Sequence, residues 1–175
     1  MAHTVGRVLV SREELVRRVG ELGQALARDY PDQNPLLVCV LKGAIVFFAD
    51  LIRAIDAPLT TDFISVSSYG TAPASSGVVK ITSDLSISIE DRDVILVEDI
   101  IDSGRTISYL TRNMQTRHPK SLRICALLDK VERRAVEVDL DYVGFTIPDV
   151  FIIGYGMDYR GLYRNLPYLA ALEAD

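Results

Sequence analysis

The stretch Val94-Ile95-Leu96-Val97-Glu98-Asp99-Ile100-Ile101-Asp102-Ser103-Gly104-Arg105-Thr106 changes character along its length, and that change decides the architecture. Its aliphatic opening has no polar face, which suits a strand buried on both sides, as in a parallel sheet. Carboxylates follow, then a small turn with a glycine, and Ile107, Leu110 and Met114 recur at helical spacing before Pro119. The same alternation repeats outward. Leu36 to Leu41 is an apolar run too short for a helix, followed by Lys42-Gly43 and a helical pattern through Phe48, Leu51, Ile52 and Ile55. Ser11-Arg12-Glu13-Glu14 has capping-box spacing, and Leu15, Val19, Leu22 and Leu26 share one face, which predicts a helix from about Ser11 to Tyr30. Asp62 to Ser67 and Val78 to Thr82 alternate like exposed strands. Leu122 to Leu128 and Val150 to Ile153 complete the strand set, with Tyr142 to Ile147 between them. Buried strands alternating with amphipathic helices predict an α/β fold with a mostly parallel sheet. At 175 residues, without repeat or linker, residues 1–175 are expected to form one domain.

Composition narrows the function classes. The chain is 49% hydrophobic and 25% charged, ordinary for a compact water-facing fold. Its 19 Lys and Arg against 24 Asp and Glu give a net charge of −5, so neither nucleic acid nor an anionic membrane is an expected partner. No apolar run approaches the roughly 18 residues of a membrane span, and the start, MAHTVGRVLVSREE, lacks the basic and apolar regions of a signal peptide. Cys39 and Cys125 sit inside aliphatic runs as small core residues rather than a disulfide framework, and a reducing cytoplasm is the expected compartment. His3, in a terminus read as loose, and His118, beside Pro119, receive no catalytic role.

In parallel sheets ligands bind beyond the carboxyl ends of the strands. There the string from Glu98 to Thr106 joins carboxylates to a helix start whose free N–H groups and hydroxyls make an anion site. Acids beside an anion site are contradictory unless the ligand carries a phosphate and also offers hydroxyls or metal ions to the carboxylates, as a sugar phosphate does. An acidic surface turn with Asp102 capping the helix is the plain alternative. The string is not a Walker A loop, and Gly154-Tyr155-Gly156 does not continue into G-x-G-x-x-G. Lys42-Gly43-Ala44 sets a cation and a small residue at a second strand end. Ser68 to Gly77, uncharged and rich in small residues, reads as a mobile segment. The tail from Ile147 to Pro167 and the turn Asp129-Lys130 complete the candidate residues.

The Val94–Thr106 string closely resembles the phosphoribosyl-diphosphate motif of the type I phosphoribosyltransferases. Lys42-Gly43 resembles the diphosphate loop of their 6-oxopurine branch, where the peptide before the lysine is often cis. Lys130 together with the tail resembles that branch's base-binding half. The resemblance spans roughly Leu36 to Leu169. It implies the type I fold, with a small hood formed largely by the C-terminal segment. It implies transfer of 5-phosphoribosyl from 5-phosphoribosyl 1-diphosphate to hypoxanthine or guanine in purine salvage, with Mg²⁺. The implied roles place Asp102 at N7 of the base as general acid and base. Glu98 and Asp99 hold the ribose hydroxyls and share in metal binding, while Ser103, Gly104, Arg105 and Thr106 cradle the 5′-phosphate. Lys42, Gly43 and Arg164 hold the diphosphate, Asp158 binds the metal, and Ser68 and Tyr69 belong to a lid over the site. Lys130 donates to the purine 6-oxo group, Phe151 stacks on the ring, and the backbone around Ile152 reads position 2. A donor at position 6 makes adenine a poor substrate. The resemblance also implies a homodimer or homotetramer, and the apolar face around Leu51 and Ile55 suits either an interface or core packing. A regulatory nucleic-acid-binding protein on the same fold is the rival from another class, disfavoured by the acidic balance. Preference among hypoxanthine, guanine and xanthine stays open, as do Arg133 and Arg134, which either touch the phosphate site or are solvated.

Overall fold

In a computed structural model, residues 3–68 and 79–174 are described. The order is β1 (His3–Val10), α1 (Arg12–Asp29), β2 (Leu36–Leu41), α2 (Ile45–Ala54), β3 (Thr60–Ser68), β4 (Val79–Ser83), β5 (Asp93–Ile101), α3 (Arg105–Gln115), β6 (Ser121–Asp129), β7 (Tyr142–Thr146), β8 (Ile152–Ile153) and β9 (Leu169–Ala174). Six strands form the main sheet in the order β4-β3-β2-β5-β6-β7, parallel except for β4. Side chains alternate across it. Leu37, Cys39, Ile95, Val97, Cys125 and Leu127 face α1 and α2, which bring Leu15, Leu22, Phe47 and Leu51. Leu36, Val38, Val40, Val94, Leu96 and Ala126 face Ile107, Leu110 and Met114 of α3.

Local signals set the helix ends. At α1 the capping box closes in both directions, Glu14 N–H donating to Ser11 Oγ at 3.2 Å and Ser11 N–H to the Glu14 carboxylate at 2.8 Å. Helix α3 begins at Gly104, whose φ of +80° is a left-handed conformation that L side chains rarely adopt.

The structure departs from expectation at three places. The segment from His3 onward is not loose: β1 pairs antiparallel with β9, which joins β8 in a separate three-stranded sheet. Val150 to Ile153 does not join the central sheet, because only Ile152 and Ile153 are strand and they pair with Ala171 and Ala170. The hood thus takes a strand from the N-terminus as well as from the C-terminal segment. Strand β3 is no exposed strand throughout, since Asp62 and Ile64 are buried between its neighbours. Leu51 is fully buried, so core packing accounts for it. Among the described residues no helix is long and apolar enough to cross a membrane.

Candidate active site

From β2 the chain moves outward to β3, then returns to place β5 on the other side of β2. Helix α2 lies on one face and α3 on the other. This is a topological switch point, and the turns after β2 and β5 open a crevice there.

Strand β5 runs past the aliphatic residues to Ile101, so Glu98 and Asp99 are strand residues whose side chains enter the crevice. Asp99 lies so close to the turn after β2 that a Cβ on Gly43 would fall 1.7 Å from Asp99 Oδ2. Any larger residue at Gly43 would collide with that carboxylate. The Leu41–Lys42 peptide is cis, as the resemblance implies. Burial, then the neighbouring Asp99 charge, pushes the Glu98 carboxyl well above its ordinary range, and burial raises Asp99 as well.

Two hollows meet at this point. The first, about 290 Å³, is lined by Gly43, Glu98, Asp99, Asp102, Ser103, Gly104 and Thr106, with Val40, Val66 and Ile107 as its apolar wall. Gly104 has no side chain to cap α3 and only Ser103 Oγ accepts from Arg105 N–H, at 3.5 Å, so the next N–H groups of the first turn are left for a ligand at the edge of this hollow. The Ser103 carbonyl accepts from the N–H groups of Ala135 and Val136 at 3.0 and 3.2 Å, which fixes the turn. Arg105 turns its exposed side chain elsewhere, into a groove with Val79, Tyr109 and Arg112, leaving only its backbone at the turn. Lys42 is exposed and lines neither hollow.

The second hollow, about 360 Å³, shares Gly43, Asp99, Ile100 and Asp102 with the first and adds Lys130, Arg133, Phe151, Ile152, Met157, Asp158 and Arg164. Lys130 follows β6, is 5% exposed, and donates its backbone N–H to Ile101 at 3.0 Å. Phe151 is 53% exposed on the rim and meets the Tyr159 ring edge-on at 5.6 Å. Arg164 pairs with Asp158 at 2.6 Å and donates to the Gly156 carbonyl at 2.5 Å. The other Asp158 oxygen accepts from Gly161 N–H at 2.6 Å.

The structure therefore brings Asp102, Glu98, Asp99, Ser103, Gly104, Thr106, Gly43, Lys130, Phe151, Ile152, Asp158 and Arg164 to one crevice. Ser68 ends β3, while Tyr69 and the rest of the lid segment lie outside the described residues. Arg134 belongs to the framework: it pairs with the little-exposed Asp129 at 2.8 Å and donates to the Val138 carbonyl. Arg133 instead enters the crevice beside Asp102 and Asp149. Asp149 had no role in the sequence reading, since an isolated loop aspartate carries no spacing signal.

Comparison with known proteins agrees with this geometry. The phosphoribosyl transferase domain family matches residues 9–160. A hypoxanthine-guanine phosphoribosyltransferase of Bacillus subtilis is 50% identical over 99% of this chain and 96% of its own. One from Streptococcus thermophilus is 49% identical over 98% and 95%. The crystal structure of a hypoxanthine-guanine phosphoribosyltransferase from Bacillus anthracis superposes with a TM-score of 0.92 at 44% identity, covering 99% of this chain and all of that one. Sequence, sheet order and crevice thus point the same way, and this chain belongs to the phosphoribosyltransferase family, with the type I fold.

Proposed function

We propose that this chain is a purine-salvage enzyme that transfers 5-phosphoribosyl from 5-phosphoribosyl 1-diphosphate to hypoxanthine or guanine, giving IMP or GMP and diphosphate. One observation carries the reading: the two hollows share Asp99 and Asp102, so a sugar phosphate in the first meets a planar base in the second across those carboxylates. In the reaction the bond from ribose C1 to the diphosphate oxygen breaks and a bond from C1 to purine N9 forms. The proton on N7 passes to the Asp102 carboxylate. The turn from Ser103 to Thr106 offers backbone N–H groups and hydroxyls to the 5′-phosphate. Glu98 and Asp99 hold the ribose hydroxyls and face the sugar as it gains positive character, while Arg164 in the second hollow balances charge on the leaving group, joined by Lys42 from its exposed turn only if that side chain swings inward. The Lys130 ammonium donates to the 6-oxo group, Phe151 covers the ring, and the backbone at Ile152 faces position 2.

The residues fit Mg²⁺. Among the described residues no three His, Cys, Asp or Glu side chains converge as a metal cage. A buried pair of carboxylates with raised proton affinity is the kind of donor set a hard cation relieves, and Mg²⁺ prefers one or two carboxylates plus phosphate oxygens. Asp158 on the side of the second hollow, and Glu98 and Asp99 on the side of the first, are the carboxylates that would hold Mg²⁺ together with phosphate oxygens rather than as one three-residue cage, and it would neutralise the departing diphosphate. Residues 1–175 as one domain, a homodimer or homotetramer, a lid at Ser68 and Tyr69, and a cytoplasmic location complete the reading.

Turnover of hypoxanthine or guanine with diphosphate release, and little turnover of adenine, is the expected result. Asp102→Asn keeps the side chain's size and removes proton transfer, which is worth about 10²–10⁴-fold in kcat, with phosphoribosyl-diphosphate binding retained. Unchanged kcat in steady-state assays would remove Asp102 from the reaction.

A further inference from the structure

Three charged side chains that line the second hollow, Lys130, Arg133 and Asp102, form a line of alternating sign with Asp149, which stands outside the lining and touches the first two. Asp149 Oδ1 lies 3.7 Å from Lys130 Nζ and 3.4 Å from Arg133 Nη1. The same guanidinium turns its Nε toward Asp102 Oδ1 at 3.3 Å. The order Lys130, Asp149, Arg133, Asp102 therefore runs from the end of β6 to the end of β5.

The two ends of the line differ in burial and bonding. The Lys130 side chain is 6% exposed, so its stem is enclosed and its ammonium has few headings. Asp149 is the only ion-pair partner of Lys130 among the described residues. At the other end, Arg133 makes a hydrogen bond to Asp149 at 3.4 Å but only a Coulombic contact with Asp102, whose Oδ1 is buried and accepts no hydrogen bond among the described residues. The guanidinium's hydrogen bond goes to Asp149, and Asp102 Oδ1, with Arg133 Nε 3.3 Å away, keeps its acceptor capacity for an N–H of a ligand. The side chains of Asp149 and Arg133 are themselves about half exposed, at 46% and 52%. Pairs so exposed contribute little to stability, so their arrangement bears on the site rather than on the fold.

We propose that Asp149 is a specificity-determining positioning residue of the purine subsite: its carboxylate sets the heading of Lys130 and takes the Arg133 hydrogen bond that would otherwise fall on Asp102. The inference rests on the transfer reaction proposed above. Without the carboxylate, Lys130 loses its fixed direction toward position 6, and the Arg133 guanidinium is free to close on Asp102.

The experiment compares the full-length chain with Asp149→Ala and with Asp149→Ala/Arg133→Ala, using 5-phosphoribosyl 1-diphosphate, Mg²⁺, and hypoxanthine or adenine. For Asp149→Ala the hypoxanthine-over-adenine ratio of kcat/KM falls by about tenfold or more. Its kcat with hypoxanthine falls by about tenfold, and its KM for the diphosphate substrate stays within about twofold. Removing Arg133 in addition restores most of kcat but leaves the ratio low. A merely structural role would move both substrates' KM together and would not be rescued by a second deletion. Asp149→Asn, which keeps the shape, should reproduce the loss of selectivity with an unchanged Tm. An active wild-type enzyme whose Asp149→Ala variant keeps its ratio and kcat, or whose lost kcat the second deletion does not restore, overturns the proposal alone. A wild-type chain that never turns over hypoxanthine overturns the reaction first and the proposal with it.

Discussion

Glu98 and Asp99 are placed side by side in a strand that tertiary packing buries, an arrangement that opposes their ionisation. Because the folded chain raises these carboxyls, the native state binds more protons than the unfolded one over that pH range, so this pair's contribution to stability falls as pH rises. The penalty is absent below the ordinary carboxylate range and complete above the raised value. Glu98→Gln removes one of the two charges at nearly constant shape. In metal-free buffer the variant should melt about 2 °C or more above the parent at pH 8, with the gain shrinking toward pH 4. Thermal scans at the two pH values check it, and a gain larger in acid would have the wrong sign. The acidic pair was plain in the sequence, because carboxylates directly after an aliphatic strand form a local pattern. Its partner Gly43 was legible only as a small residue in a turn, since contact with Asp99 comes from two neighbouring strands far apart along the chain. Arg133 and Arg134 show the limit of residue type: adjacent and chemically identical, they point to different partners because of the short 3-10 turn Val131–Arg133.

At the scale of elements, what could be read followed from whether an element's stability is local. The capping box at Ser11 and the apolar run of β2 are complete within a few residues, and both elements formed as expected. Strands β1 and β9 are held by each other from opposite ends of the chain. Register shifts between Val5 and Val8 and between Val8 and Val10 break the alternation that would betray β1. Strand β3 was recognised but its burial was not, and Asp62 is the reason it matters. That carboxylate accepts from the N–H groups of Phe63 and Ser86 at 2.8 Å, from Ile87 N–H at 3.2 Å and from Ser86 Oγ at 3.0 Å. Burial works against its charge, yet these bonds outweigh it and hold the carboxyl below its usual range. Asp62 thereby ties β3 to the segment that carries Ile89 into the core. Asp62→Ala leaves the Ser86 and Ile87 donors unmatched and should destabilise the chain by about 2–3 kcal/mol at pH 7. With a lowered carboxyl the contribution is present above the ordinary aspartate range and lost as pH falls through the lowered value, so the penalty should shrink in acid. Urea unfolding at pH 7 and pH 3 distinguishes this from a pH-independent packing defect.

For the whole molecule, Cys39 and Cys125 offer a direct measure of how cooperatively the main sheet holds together. Cys39 in β2 pairs with Val97 in β5, and Val97 pairs with Cys125 in β6, so the thiols lie in one row, two strands apart. At about 4.8 Å per strand their separation exceeds what a disulfide can bridge. Both are fully buried beneath α1 and α2, and burial pushes each thiol up to about 12. Reaction with a thiol reagent therefore needs the sheet to open and the helices to lift, not a local fluctuation at an edge. With overall stability of about 5–15 kcal/mol for a domain of this kind, labelling of the native chain at pH 8 should be slower than that of the unfolded chain by at least about 10³-fold. Both thiols should become reactive together, at the denaturant concentration where far-UV circular dichroism is lost. Labelling of Cys39 while the spectrum stays native would instead mean that β2, and with it the turn carrying Gly43, opens independently of the rest. The crevice would then be built on a separable part of the molecule rather than on one rigid sheet.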